Sequence, residues 1–130
     1  MTDTELFKAA EKAMAAAYNP YSRFAVGAAL LCDDGSVYTG CNIENASFTP
    51  TVCAERVAFF KAVSEGRRSF VKIAVAGGSN GGASDKCPPC GVCRQVMSEF
   101  CNGDFEIILR GDGGIEKYKL SELLPLSFKL

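Results

Sequence analysis

The order of helical and strand-like segments along the chain is the feature that most restricts its fold. Apolar residues recur either at helical spacing or in short buried runs. Helices are predicted at residues 3–17, 50–63 and 89–100, and strands at 24–31, 36–42, 71–76, 105–109 and 115–120. This order predicts an α/β fold in which helices pack on the faces of a mixed, five-stranded sheet.

Turn and capping residues mark the ends of several segments. The turn at 33–35 (DDG) should join the first two strands into a hairpin. Thr49 and Pro50 have the pattern of an N-cap followed by the first residue of the second helix, which Gly66 closes. Pro89 is predicted in the first turn of the third helix.

A glycine-rich stretch at 77–84 (GGSNGGAS) has the composition of a phosphate-binding loop. Such a loop should lead directly into a helix that carries Lys-Ser or Lys-Thr, whereas this one leads into cysteines and prolines. We therefore expect a flexible connector.

Length, composition and charge limit the class of protein. With 130 residues, 48% of them hydrophobic, the chain should form a single domain spanning residues 1–130. No export signal opens the chain, and no apolar stretch approaches the ~20 residues that cross a bilayer, so we expect a cytoplasmic protein with no membrane partner. Because 14 basic and 15 acidic side chains are interspersed, nucleic acid is not an expected partner.

The cysteines restrict the chemistry. Seven cysteines without an export signal favour reduced thiols or metal ligands over disulfides, and without histidine a metal site must use cysteine or carboxylate. Cys32, Cys41 and Cys101 lie in strand or late-helix contexts, where a free cysteine usually behaves as a small hydrophobe.

Residues 86–95 (KCPPCGVCRQ) contain two overlapping C-x-x-C motifs. Cys90 and Cys93 should share one face of the first turn of the third helix, where the helix dipole favours thiolates. Cys87 precedes a proline, which biases it toward extended backbone, so its side chain should leave that face. Cys90 and Cys93 are therefore the predicted metal-binding pair.

Cys53, near the start of the second predicted helix, is the candidate third ligand. Three thiolates would leave the fourth tetrahedral position of a zinc ion open to water. Glu55, close to the metal without binding it, could carry protons between that water and a substrate. Since three thiolates leave the site anionic, the neighbouring cation Arg56 should support it.

Two other interpretations of these cysteines stay open. One is a redox pair formed by Cys87 and Cys90 or by Cys90 and Cys93, which leaves the Cys53-Ala-Glu55 motif unexplained. The other is a closed structural zinc site with Cys87 as the fourth ligand, which leaves Glu55 without a role.

Cys-x-Glu followed by Pro-Cys-x-x-Cys is the motif order of the zinc deaminases, with cysteine where other branches have histidine. Over nearly its whole length the chain resembles the short, three-cysteine cytidine deaminases. The matching stretches are PYSRFAVG at 20–27, GCNIEN at 40–45, CAER at 53–56, PCGVCRQ at 89–95 and LLPLSF at 123–128.

The resemblance implies a three-layer cytidine deaminase fold, one zinc per subunit held by Cys53, Cys90 and Cys93, and catalysis by Glu55. It also implies hydrolysis of cytidine and 2'-deoxycytidine to the uridines and ammonia, in pyrimidine salvage. The implied substrate-binding residues are Phe24 and Ala54, the sugar-binding Asn42 and Glu44, and Phe128, which would reach a neighbour's site in a homotetramer with shared active sites.

Two positions depart from the family pattern, and other functions remain as alternatives. Phe48 stands where tyrosine is common and Pro88 where serine is common. The alternatives are a deaminase for a related aminopyrimidine nucleoside such as blasticidin S, an editor of RNA or DNA bases, and a non-enzymatic zinc-binding module.

Overall fold

The computed structural model describes residues 1–130 and contains four α-helices, one 3₁₀ turn and five strands. In chain order they are α1 Asp3–Ala13 with the 3₁₀ turn Met14–Ala16, β1 Ala25–Cys32, β2 Val37–Cys41, α2 Ala54–Ser64, β3 Phe70–Gly78, α3 Gly91–Phe100, β4 Glu106–Gly111, β5 Gly114–Lys119 and α4 Leu120–Leu123.

The five strands form one mixed sheet in the order β2-β1-β3-β4-β5. The β3–β4 pair is parallel, and the other neighbouring pairs are antiparallel. Because parallel neighbours need a crossover connection, α3 lies between β3 and β4 in the sequence. The predicted α/β fold with a mixed, five-stranded sheet is confirmed.

Alternating side chains of the central strands build a core on each face of the sheet. On one face Ala29 and Leu31 of β1 pack in a cluster with Leu6 and Ala10 of α1. On the other face the β1 residue Leu30 belongs to a larger cluster with residues of α2, α3 and α4. The result is the expected three-layer arrangement, with helices on both faces.

The second helix begins at Ala54, so the predicted start at Thr49 and Pro50 is wrong. Val52 exchanges two backbone hydrogen bonds with Ile43, each 3.0 Å, and this bridge keeps the backbone extended up to the helix. Thr49 and Pro50 instead lie in a turn of the preceding loop.

The third helix begins at Gly91, and Pro89 therefore precedes it. Its predicted end at Phe100 is confirmed. Strand β3 extends through Gly77 and Gly78, which were predicted to belong to the connector. A Cβ atom at Gly77 would lie 2.9 Å from both the Cys87 sulfur and the Phe24 ring, so this strand position needs glycine.

The short helix α4 was not predicted, and it begins at Leu120, the last residue of the predicted fifth strand. Residues 33–35 join β1 and β2 as the hairpin prediction required. None of the helices is both long enough and apolar enough to cross a membrane.

Candidate active site

The N-termini of α2 and α3 meet at one end of the sheet. Helix α2 lies against β2 because Gly40 has no side chain, since a Cβ atom there would be 2.3 Å from the carbonyl oxygen of Ala54. Helix α3 follows β3, the strand that pairs with β1 on the side opposite β2. The cysteine motifs predicted to share a site therefore start two helices that face each other.

Cys53 and Cys90 are the N-cap residues of these helices, whereas the sequence placed both within the first turn. Their backbones are extended, with φ −77° and ψ 153° at Cys53 and φ −69° and ψ 169° at Cys90. Neither side chain forms a capping hydrogen bond. An N-cap side chain normally accepts from the first helical turn, so both sulfur atoms are left available for another partner.

The sulfur atoms of Cys53, Cys90 and Cys93 form a compact triangle in which all lie within 4.8 Å of one another. Cys53 and Cys90 are 3.8 Å apart and Cys90 and Cys93 are 3.6 Å apart. Tetrahedral zinc with Zn–S bonds of ~2.3 Å requires sulfur atoms ~3.8 Å apart. The donor type and the spacing therefore both fit a zinc ion, as predicted.

Hydrogen bonds within this triangle make one thiol acidic. The bond with Cys93, followed by those with Arg56 and Cys90, lowers the pKa of Cys53 from its ordinary 9.0 to about 5, against the opposing effect of burial. The same bond with Cys53, together with burial, raises the pKa of Cys93. The thiol of Cys53 therefore favours the thiolate form near neutral pH. A bound dication would favour ionisation of the other two thiols.

Arg56 places its guanidinium against the cluster. Its Nη2 atom lies 3.5 Å from the sulfur of Cys53, and this contact is the main cause that raises the pKa of Arg56. The Nε atom of Arg56 is buried and has no hydrogen-bond partner. A permanent cation beside thiolates stabilises their charged form, which is the role predicted for this residue.

Glu55 is a buried carboxyl group beside the same cluster. It is the second residue of α2 and only 4% exposed. Burial is the main cause that raises its pKa to about 7, and the charge of Cys53 acts in the same direction. A carboxyl group with a pKa near neutrality can both take up and release a proton under physiological conditions.

A cleft opens over Glu55 and the cysteines. Besides Glu55, Cys53 and Cys90, its wall includes three residues that the sequence analysis named, Asn42, Glu44 and Ala54. The structure adds residues that were not predicted to line it: Val26, Thr51, Val52, Cys87 and Pro88. Cys87 thus lies in the wall of the cleft, but outside the three-sulfur triangle.

The remaining predicted residues lie outside the cleft wall. The Phe24 ring packs towards Gly77 and Cys87, directly beside the wall. Phe128 is 65% exposed near the C-terminus, and its carbonyl oxygen lies 3.4 Å from Nε2 of Gln95 in α3. Within one subunit, Phe128 therefore takes no part in the cleft.

Asn42 and Glu44 are held by hydrogen bonds to the start of β1 and to the segment that precedes it. The Asn42 amide accepts from the Val26 N–H at 2.9 Å and donates to the Phe24 carbonyl oxygen at 2.8 Å. Glu44 accepts from the backbone N–H groups of Tyr21 and Ser22 at 2.9 and 3.1 Å. Both side chains are polar groups fixed at the rim of the cleft.

Comparisons with known proteins agree with this geometry. A cytidine deaminase from Sporosarcina psychrophila is 51% identical over 125 residues, covering 95% of this chain and 89% of the relative. The crystal structure of cytidine deaminase from Burkholderia pseudomallei superposes with a TM-score of 0.89 at 44% identity, covering 98% of this chain and 100% of that one. A blasticidin-S deaminase from Bacillus cereus is more distant, at 29% identity over 97% of this chain and 91% of the relative.

Residues 1–108 match the family model for the cytidine and deoxycytidylate deaminase zinc-binding region. The matched span includes the three clustered cysteines and Glu55. This chain therefore belongs to the cytidine and deoxycytidylate deaminase family.

Proposed function

We propose that residues 1–130 form a single catalytic domain that hydrolyses cytidine and 2'-deoxycytidine to the corresponding uridine and ammonia. The observation that carries this proposal is a buried carboxyl group, Glu55, beside three clustered sulfur atoms at the base of an open cleft. A structural zinc site would have no use for a carboxyl group with a raised pKa at that position.

Cys53, Cys90 and Cys93 would hold one zinc ion per subunit. When bound, zinc supplies a Lewis acid that allows water to ionise near neutral pH. The position of Arg56 next to Cys53 offsets the negative charge of three thiolates. Cys87 is left as a wall residue whose thiol stays protonated, since burial is the main cause that raises its pKa to about 12.

Glu55 would move both protons of the reaction. Its carboxylate takes a proton from the attacking water and delivers it to N3 of the pyrimidine ring as C4 is attacked. It then takes the second proton of the water from the new C4 hydroxyl group and transfers it to the amino nitrogen. The C4–N bond breaks as the C4 carbonyl forms, so that cytidine plus water gives uridine plus ammonia. A pKa close to the working pH suits a group that acts first as a base and then as an acid.

The rest of the cleft would bind the nucleoside. Asn42 and Glu44 offer an amide and a carboxylate to the sugar hydroxyls, as the resemblance implied. Ala54 is the first residue of α2, where a backbone N–H has no intrahelical partner and is free to donate to the ring carbonyl. Phe24 would pack against the ring from beside the cleft.

The alternatives have weaker support. Blasticidin S carries a different sugar-side structure, and Asn42 and Glu44 match the nucleoside pattern. The near-neutral charge of the chain, with basic and acidic residues interspersed, does not favour binding to a nucleic-acid strand, so nucleic acid is not a proposed partner. We further propose a cytoplasmic enzyme of pyrimidine salvage.

The exposed tail suggests that active sites are shared in a homotetramer. Phe128 and Leu126 are 65% and 102% exposed, which is unfavourable for large apolar side chains without a partner. Phe128 would enter the cleft of a neighbouring subunit. Sedimentation should give four chains per particle, and Phe128→Ala should weaken cytidine turnover, whereas a fully active monomer would contradict this assembly.

A substrate panel tests the proposed activity. Spectrophotometric assays of the zinc-loaded protein should show efficient turnover of cytidine and 2'-deoxycytidine. Blasticidin S and single-stranded DNA should be poor substrates by comparison. Efficient turnover of blasticidin S with little action on cytidine would favour the alternative, and no turnover of any nucleoside would favour a zinc-binding module.

A further inference from the structure

Ser22 connects Glu44, which would bind the sugar, with Phe24, which would pack against the pyrimidine ring. Its hydroxyl donates a short hydrogen bond to Oε2 of Glu44 and accepts a hydrogen bond from the backbone N–H of Phe24 at 3.1 Å. A serine hydroxyl has one proton to donate, so the direction of the bond to the carboxylate is fixed.

The Glu44 carboxylate is oriented by donors on both oxygen atoms. Oε1 accepts from the N–H groups of Tyr21 and Ser22, and Oε2 accepts from the Ser22 hydroxyl. The Ser22 hydroxyl is the only side-chain group among these donors, and its bond is the main cause that lowers the pKa of Glu44. Glu44 therefore faces the cleft as a fixed, ionised acceptor.

The backbone next to Ser22 is held in an unfavourable conformation. Arg23 has φ 58°, in the left-handed region that non-glycine residues rarely adopt. Its N–H donates to the carbonyl oxygen of Asn19 at 3.0 Å. Such strain persists only when the surroundings hold it in place. The Ser22 hydroxyl contributes because it accepts from the N–H of Phe24, the residue that follows Arg23.

We infer that Ser22 is a positioning residue that orients Glu44 towards the sugar hydroxyls and aligns it with Phe24. The inference rests on the proposed function, because it presupposes that Glu44 binds the sugar of a nucleoside. Ser22 itself does not line the base of the cleft. It predicts that losing the hydroxyl weakens recognition of the sugar and leaves the chemistry at the ring intact.

The test compares Ser22→Ala with the parent protein on cytidine and on 2',3'-dideoxycytidine, which keeps the 5'-hydroxyl but lacks the 2'- and 3'-hydroxyls that Glu44 would bind. With cytidine, KM should rise about 10-fold while kcat changes less than about 2-fold. With the dideoxy substrate, both constants should change less than about 2-fold, because the interaction that Ser22 supports is absent. Ser22→Thr retains the hydroxyl and should restore KM for cytidine.

Ser36→Ala is the matched control. Ser36 also donates its hydroxyl to a carboxylate, Asp34 Oδ1 at 2.6 Å, but in the hairpin turn at the far end of β1 from Phe24. Its kinetics should equal those of the parent protein. If Ser22→Ala does not fold, Ser22→Cys keeps the side-chain size with only a weak donor and should give the same pattern.

Three results would overturn the inference: an unchanged KM for cytidine, an equal rise in KM for both substrates, or no recovery in Ser22→Thr. Each of these presupposes a parent protein that deaminates cytidine. A parent protein without that activity would instead refute the proposed function, so the two failures are distinguishable.

Discussion

Two acidic residues occupy the first turns of helices on opposite faces of the same sheet, and their environments differ. Asp3 begins α1, and its carboxylate pairs with Lys72 and, at 3.0 Å, with Lys117. Glu55 lies at the start of α2 without a basic partner that forms an ion pair. The bond with Lys72 is the main cause that lowers the pKa of Asp3, whereas burial raises that of Glu55.

This difference separates a carboxylate that stabilises the fold from one that serves the site. A helix N-terminus favours a negative charge, and the lysines at Asp3 add to that effect. At Glu55, burial opposes the stabilisation of a negative charge by the helix N-terminus. An ionised Glu55 therefore lowers the free energy of unfolding. An unfavourable group retained beside a three-thiol cluster is the arrangement expected of a proton carrier.

The largest expected effect comes from removing the proton carrier. Glu55→Gln should lower cytidine turnover by at least ~10²- to 10⁴-fold, because the amide cannot exchange a proton at the ring or the amino group. The melting temperature should not fall, since a buried amide avoids the cost of a buried charge. Asp3→Asn is the control and should retain full turnover. Near-parental turnover of Glu55→Gln would show that Glu55 is not the proton carrier, and the contrast with Asp3 would then carry no functional meaning.

The thiols give the next largest effect. Elemental analysis should find one zinc per chain in the parent protein and almost none when Cys53, Cys90 or Cys93 is replaced by alanine. Cys87→Ala should retain zinc because its sulfur lies outside the triangle. Cys32→Ala, a change in the core, should also retain it. Loss of zinc from Cys87→Ala would instead indicate a closed site with four thiolates.

The smallest effect concerns Asp3 and depends on pH. Asp3→Asn should lower the free energy of unfolding at pH 7 by about 1 kcal/mol, through the loss of an ion pair and of the charge at the helix N-terminus. Because the folded protein lowers the pKa of Asp3, this contribution is complete above the unfolded-state pKa of ~3.9.

The Asp3 contribution is lost as the pH falls through the lower, folded-state pKa. Denaturant unfolding of the parent protein and Asp3→Asn at a series of pH values checks this trend. A stability difference that grows towards acid would show that Asp3 is not held in its ionised form.

The sequence predicted which cysteines cluster more closely than it predicted the local structure around them. The motifs identified the three cysteines that cluster, because the spacing of residues within a motif is local. The capping residues placed the start of α2 too early, at Thr49 and Pro50 instead of Ala54. The true start of α2 depends on the bridge between Val52 and Ile43, a contact between segments that no local pattern reveals. Thr49 and Pro50 are a good capping pair, but this tertiary contact overrides them.

The missed wall residues have the same explanation. Val26 reaches the cleft because β1 pairs with β3. Cys87 reaches it because Gly77 of β3 has no side chain and lets the segment that carries Cys87 approach closely. Strand register was not predictable from the alternating apolar pattern alone. The sequence predicted that Cys87 leaves the face shared by Cys90 and Cys93, and its sulfur lies outside their cluster. Its place in the cleft wall follows only from the tertiary structure.

Zinc titration of the metal-depleted protein tests the central claim most directly. Chelator-treated protein should be inactive towards cytidine, and turnover should rise in proportion to added zinc until one ion per chain is bound. Full turnover by protein that elemental analysis finds free of metal would contradict the account of a zinc site made by Cys53, Cys90 and Cys93 beside Glu55.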